Sequence, residues 1–248
     1  MIIITLGDTK MMKITNVYDN NNLHQSDLKD DWGFSCVVEH PNGNVIFDTG
    51  AKPAILESNL KKLHIDPQSI KYLIISHKHW DHKGGALWLL EQNPNIIVYM
   101  PKTWNNNLEK SLPINSQRIH SIKEHCPIND TFHLILSKNL WINELALGIK
   151  TSKGIVAVTG CSHTGILKIA KTMRLVTKEK IHALFGGFHL LRSSKLKIKN
   201  AVIGLKDEDI NFIAPCHCTG DLALTIFKEE FNHKFLNNGI GSQYLFEV

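Results

Sequence analysis

The sequence predicts an α/β fold. Short, apolar, β-rich runs alternate with helical stretches through most of its 248 residues. Four of those runs end in a tight or glycine-rich turn, then a histidine, then a helix, at His77, His163, His189 and His217. In α/β folds the strands deliver their loops to one edge, so histidines at equivalent strand ends converge there. The length allows one large domain or two small ones.

Taken in order, Met11 to Asn20 reads as a strand and an Asn-rich loop. It looks like a natural beginning, so residues 1–11 are expected to be an N-terminal extension from an upstream start, and 12–248 the folded unit. Phe34 to Glu39 and Asn44 to Phe47 form a hairpin about Pro41-Asn42-Gly43-Asn44. Pro53 to Leu63 is a helix with proline at its start, where a missing N–H costs nothing. Asp66-Pro67 turns the chain into the strand Lys71 to Ile75, and a helix begins at Ala86. Ile96 to Tyr99 is a strand, and Pro101 to Lys110 a short helix. Residues 111–140 are the least legible, and are expected to be loops between short strands; His120, His125, Cys126 and His133 carry no paired spacing and are given no chemistry. Trp141 to Lys150 and Gly154 to Val158 make a second hairpin. The helix Ile166 to Val176, the strand Ile181 to Phe185, the helix Lys195 to Leu205, the strand Asp209 to Ala214, the helix Asp221 to Phe231 and a strand near Gln243 to Phe246 complete the chain.

The densest chemistry is Ser76-His77-Lys78-His79-Trp80-Asp81-His82-Lys83-Gly84-Gly85, between a buried strand and a helix. Alternate residues of an extended segment point the same way, which sends His77 and His79 to one side. The turn into the helix can swing Asp81 and His82 toward a second point nearby. Imidazole nitrogen and carboxylate oxygen are donors that zinc and similar cations accept at roughly 2.0–2.2 Å. Two adjacent clusters therefore suggest two divalent metal ions. A solvated loop does not concentrate donors in this way. No Ser-His-Asp arrangement or phosphate-binding glycine loop competes with metal chemistry.

Composition excludes several classes. The formal charge of +5 is mild and spread out. Arg192 to Lys199 is the densest basic stretch, read as a solvated loop and helix face, with a phosphate-bearing substrate as the sharper alternative. No concentrated basic and aromatic face points to nucleic acid. The five cysteines do not form a small disulfide framework, and no run is long enough to span a bilayer, so a cytoplasmic enzyme acting on a small molecule is expected.

The spacing H-x-H-x-D-H resembles the signature of the metallo-β-lactamase superfamily. Thr159-Gly160-Cys161-Ser162-His163, Gly186-Gly187-Phe188-His189-Leu190 and Pro215-Cys216-His217-Cys218-Thr219-Gly220 resemble one branch of it. That branch holds uncharacterised metal-dependent hydrolases and the archaeal dihydropterin ribofuranosylaminobenzene phosphate synthase. The resemblance implies a four-layer αβ/βα sandwich over residues 12–248, with two metals at one edge, zinc or else manganese or iron. It implies that His77, His79 and His163 hold the first metal, and Asp81, His82 and His217 the second. His189 stands where much of the superfamily has an Asp or Cys, as a terminal ligand or a substrate contact. Asp48 would lie beneath the site and hold a ligand or its loop by hydrogen bonds. The implied function is metal-dependent hydrolysis by a metal-bound hydroxide, with Asp81 orienting the nucleophile. A pterin-linked synthase or lyase, and a non-catalytic metal sensor, are the alternatives.

Overall fold

The central strands bury both faces, which is why the apolar runs in the sequence are continuous rather than alternating. The computed structural model describes residues 10–23, 27–102 and 115–248. Along the chain, β1 (Met11–Tyr18), β2 (Ser35–Glu39) and β3 (Asn44–Phe47) lead to α1 (Pro53–Lys62). Then come β4 (Ile70–Ile74), the one-turn α2 (Trp80–Lys83), α3 (Ala86–Gln92), β5 (Ile97–Pro101) and β6 (Ile119–Ile122). After these follow β7 (Cys126–Pro127), β8 (Phe132–Lys138), β9 (Asn143–Thr151), β10 (Gly154–Thr159), α4 (Ile166–Thr177), β11 (Ile181–Gly187), α5 (Lys195–Asp207), β12 (Phe212–Cys216), α6 (Asp221–Phe231) and β13 (Gln243–Glu247).

Two sheets result. One has seven strands in the order β13-β1-β2-β3-β4-β5-β6, and the other six in the order β12-β11-β10-β9-β8-β7. In each sheet, antiparallel strands give way to parallel ones: β3 to β6 in the first, β10 to β12 in the second. The sheets face one another across a core that includes Ile14, Phe47, Tyr72, Ile74, Phe132, Leu147, Val158 and Phe185. On its outer side the first sheet buries Ile46, Leu73 and Ile75 with Leu56 and Leu60 of α1 and Leu89 and Leu90 of α3. The second sheet buries Ala157 and Leu184 with Ile169 and Met173 of α4, Val202 of α5 and Phe227 of α6. This is the four-layer αβ/βα sandwich. No helix among the described residues is long and apolar enough to cross a membrane.

Two parts of the sequence reading lie largely outside the described residues, and the structure departs from it at others. The expected helix over Pro101 to Lys110 lies outside the described residues from 103 on, and Pro101 itself ends β5. Of the expected extension, residues 1–9 lie outside them too, and Met11 already pairs with Glu247. The supposed loop region contains β8, a seven-residue strand paired along its length with β9. Its Phe132, Leu134 and Leu136 enter the core between the sheets while Ile135 faces α4. The helix after the histidine motif starts a turn early, as α2, so Asp81 and His82 sit on helical backbone. α5 runs to Asp207, and Asp209, at φ 52°, turns the chain before β12 begins at Phe212.

Candidate metal centre

Five strand ends meet at one edge of the sandwich, and each presents a polar side chain. β3 ends in Asp48, β4 in Ser76-His77, β10 in Cys161-Ser162-His163, β11 in His189 and β12 in His217-Cys218. Four of these residues hold left-handed backbone: Asp48 at φ 59°, Ser162 at 62°, His189 at 52° and His217 at 49°. Such conformations cost on the order of 1–3 kcal/mol each in non-glycine residues and cluster where side chains must be aimed.

The histidine motif separates into two groups. His77 Nε2 lies 3.0 Å from His79 Nδ1 and 3.1 Å from His163 Nε2. Asp81 Oδ2 lies 3.7 Å from His82 Nε2 and 3.6 Å from His217 Nε2. Donor atoms about 2.0–2.1 Å from a tetrahedral zinc stand roughly 3.3 Å apart, so both groups have the size of a cation's shell. His217 Nε2 is buried without a hydrogen-bond partner, an orphan that a cation would satisfy. Burial, then the neighbouring imidazoles, hold His77 and His217 well below the usual histidine range and push His163 down to about 3. Neutral imidazole is the form that ligates. These residues fit a pair of divalent cations.

Asp48 lies beneath both groups, fully buried. Its Oδ1 accepts from the Ser76 N–H, and its Oδ2 from the Ser76 hydroxyl and His82 Nδ1, all at 2.7 Å. Ser76 Oγ in turn meets His77 Nδ1 at 2.8 Å. One carboxylate thereby sets two imidazoles with Nδ1 protonated and an unprotonated Nε2 toward the site, where His82 Nε2 also meets Cys161 Sγ at 3.1 Å. Burial raises the Asp48 pKa against the pull of His82 and Ser76. Burial disfavours the His82 cation, but Asp48 and Asp81 outweigh it and its pKa stands above the usual value.

Gly160 makes this layer possible. A Cβ there would fall 2.3 Å from Ser76 Oγ and 2.8 Å from Asp48 Oδ2. Gly160→Ala is expected to destabilise the fold by about 1–3 kcal/mol, as overpacking does, and to disturb the imidazoles above. An unchanged denaturation midpoint would mean the two sheet edges are not in contact here.

Sequence reasoning missed three supports. Asn20 Oδ1 meets His217 Nδ1 at 2.9 Å and sets that ring as Asp48 sets His82. Glu144, buried on β9, accepts from the backbone N–H of His163 at 3.0 Å and from the N–H and hydroxyl of Thr164 at 2.7 Å. The Trp32 ring lies 4.9 Å from that of His217. A charged residue inside the apolar β9 run was the available signal for Glu144; nothing marked Asn20 or Trp32.

Asp19, next to Asn20, is fully buried and accepts from Asn16 Nδ2 and the Asn21 N–H, both at 3.0 Å. Burial outweighs those bonds and pushes its pKa up to about 6. The folded protein then holds this proton more tightly than the unfolded chain does. The stabilisation is complete below about pH 4 and is lost as pH rises through about 6, amounting to roughly 3 kcal/mol. Asp19→Asn is expected to remove that decline; denaturation midpoints between pH 4 and 7 that fall equally in both proteins would contradict it.

The structure puts His189 elsewhere than in the two groups. Its ring centroid lies 4.1 Å from that of His163, the planes tilted by 54°, and its donor atom clusters with the Cys161 and Cys218 sulfurs. Burial opposes ionisation of the Cys218 thiol, but contacts from Cys161 and His189 prevail and lower its pKa. His189 and Cys218 border a cavity of about 650 Å³, completed by Trp32, Arg192, Ser193 and Lys197.

Comparison with known proteins agrees with this architecture. The chain is 27% identical to a 7,8-dihydropterin-6-methyl-4-(beta-D-ribofuranosyl)-aminobenzene-5'-phosphate synthase of Methanocaldococcus jannaschii, over 94% of this chain and 96% of that one. A crystal structure of a metal-dependent hydrolase of the beta-lactamase superfamily superposes with a TM-score of 0.80 at 28% identity, covering 94% of this chain and 98% of the other. The metallo-beta-lactamase fold protein YhfI of Bacillus subtilis shares the fold, with a TM-score of 0.70 at 13% identity over 95% and 99% of the two chains. The profile of the metallo-beta-lactamase superfamily matches residues 33–167, more than half of the sequence and the stretch that carries His77, His79, Asp81, His82 and His163, so the chain belongs to that superfamily.

Proposed function

We propose that the protein is a cytoplasmic metal-dependent hydrolase with two divalent cations, zinc by preference, acting on a small phosphorylated substrate with an aromatic part. The observation that carries this reading is the pair of three-donor groups: His77, His79 and His163, and Asp81, His82 and His217. A structural zinc is normally closed by four protein ligands, whereas each group here has three, which leaves a position for water or substrate. Bound in these groups, the cations supply a water deprotonated near neutral pH and an electrophile for a developing oxyanion.

The chain's own residues do the rest. Asp48 and Asn20 fix ring orientation through Nδ1 of His82 and His217. Asp81, almost fully buried between those two rings, orients the nucleophile through its carboxylate. Arg192 and Lys197 offer charge to a phosphate, and Trp32 offers a face for an aromatic ring. All five cysteines are thiols, which supports a reducing compartment.

A second reading, a pterin-linked synthase, is favoured by the full-length similarity to the archaeal enzyme. Isotope incorporation separates the two. Turnover of phosphoesters in ¹⁸O-water is expected to put solvent oxygen into a product. Turnover of a phosphorylated pterin precursor without incorporation would replace hydrolysis with condensation.

A further inference from the structure

Two cavities adjoin the metal centre, each at a different donor group. The larger, of about 650 Å³, reaches the second group through Trp32, whose ring lies 4.9 Å from that of His217. A smaller one, of about 240 Å³, is bounded by His163 of the first group. The two share His189 and Lys197, and meet along those side chains. Helix α5 builds one wall of the smaller cavity. Ser194 caps the helix, its hydroxyl accepting from the Lys197 N–H at 3.3 Å, which fixes Lys197 in the first turn. Lys197, Asn200, Ala201 and Gly204 then recur at helical spacing and share one face. Gly204 lets that face approach α4, since a Cβ there would meet Leu167 Cδ2 at 2.4 Å. Leu167, seated against it, lines the cavity together with Ile166, Phe188, Leu190 and Ala201. The Ser162 hydroxyl at the wall is already engaged, donating to the Gly187 carbonyl at 2.7 Å. The interior is therefore apolar, whereas Lys197, Asn200 and His189 are exposed.

The proposed function uses the larger cavity and leaves this one unassigned. We propose that the 240 Å³ cavity receives a compact apolar arm of the substrate, a short alkyl chain or small saturated ring, while the phosphate stays beside Lys197. The substrate class is then a phosphate ester with two organic arms, the aromatic one toward Trp32 and the apolar one toward Leu167 and Ala201. The proposal rests on the reading of a phosphorylated substrate above, from which it takes the anchor. Each methylene that enters leaves water for apolar surface, a gain that needs no directed partner. A polar or charged arm would lose its hydration and find groups to pair with only outside the apolar interior. Chain length is thereby selected: carbon atoms beyond the capacity of the cavity stay in water and add nothing.

Calorimetric titration of the zinc-loaded protein with methyl-, ethyl-, propyl- and butylphosphonate tests it. The carbon–phosphorus bond of these probes resists hydrolysis, so binding is read without turnover. Each added methylene is expected to lower Kd about fourfold, which makes butylphosphonate about 60-fold tighter than methylphosphonate. Ala201→Phe fills the cavity from α5 and should compress that whole range to less than about twofold, with methylphosphonate affinity nearly unchanged. Leu167→Asn makes another wall polar and should also shrink the increment per methylene, so the outcome does not hang on the folding of one variant. Trp32→Ala should keep the increment; losing it there while both cavity variants retain it would seat the chain in the larger cavity and overturn the proposal. Affinity independent of chain length in the unaltered protein would overturn it too, and leave the phosphate reading standing. Failure of every probe to bind, methylphosphonate included, would reject both. An affinity that climbs with length in a protein that turns over no phosphate ester would keep the subsite and reject hydrolysis.

Discussion

Asp48→Asn is expected to leave the fold in place while the centre loses cation affinity by about 10–100-fold. The carboxylate accepts from three donors at 2.7 Å: the Ser76 N–H, the Ser76 hydroxyl and His82 Nδ1. An amide of the same shape can still accept from the Ser76 N–H, but its NH₂ then faces Ser76 Oγ and His82 Nδ1. His82 must accept at Nδ1 and move its proton to Nε2, the atom that lies 3.7 Å from Asp81. A protonated Nε2 cannot ligate. The serine relay carries the same change to His77 Nδ1, 2.8 Å from Ser76 Oγ. Asp48→Ala goes further, leaving buried donors with no acceptor and costing on the order of 3–5 kcal/mol. Metal titration alongside chemical denaturation separates the effects. Asparagine should move affinity far more than stability, and alanine should move both. Unchanged affinity in the asparagine variant would mean that the imidazoles are not oriented through this carboxylate.

Much of the architecture was legible because the centre of each sheet obeys strong local rules. A strand buried on both faces must be apolar throughout, so Ile155 to Val158 and Ile181 to Phe185 announce themselves, and the histidine after each follows from where parallel strands end. Helix α6 begins and ends where its sequence pattern does. β8 was not legible, because its pattern breaks at Ser137 and it is preceded by Asn129-Asp130, which read as loop. Its seven residues are strand because β9 offers a full ladder of partners, a tertiary cause that propensity does not contain. The site divides the same way. Donors close in sequence, His77 to His82, are visible from spacing alone. The supports come from remote segments: Asn20 reaches His217 across 197 positions, and Glu144 holds the His163 loop from another strand. The cysteines sat in recognisable motifs, yet only the side-by-side arrangement of three strand ends joins Cys161 to Cys218. Single polar residues in such places look like turn formers until the fold brings their partners to them.

His79→Ala and Asp81→Ala are each expected to cut turnover by about 10³-fold or more, roughly 4 kcal/mol of transition-state stabilisation, without unfolding the protein. The two residues belong to different groups, so the losses should differ in kind. His79 is half-buried, and its Nδ1 meets only the first group, 3.0 Å from His77 Nε2. Its removal should empty the first position and leave the second filled. Asp81 bears the carboxylate of the second group, between His82 and His217. Its backbone carbonyl accepts from the Phe34 N–H at 3.2 Å, a bond that alanine retains, so the loop should keep its path. Without the carboxylate, two buried imidazoles lose the negative charge that balances a cation, and the second position should weaken while the first persists. Metal content per chain, turnover and the denaturation midpoint, measured on the same preparations, give the decisive pattern. One cation lost, activity lost and stability nearly kept in each variant would support two cations acting together. Full activity in either variant would remove the dinuclear mechanism altogether. Activity lost with both cations retained would restrict the residue to orienting the reactants and move the weight of metal binding onto the remaining donors.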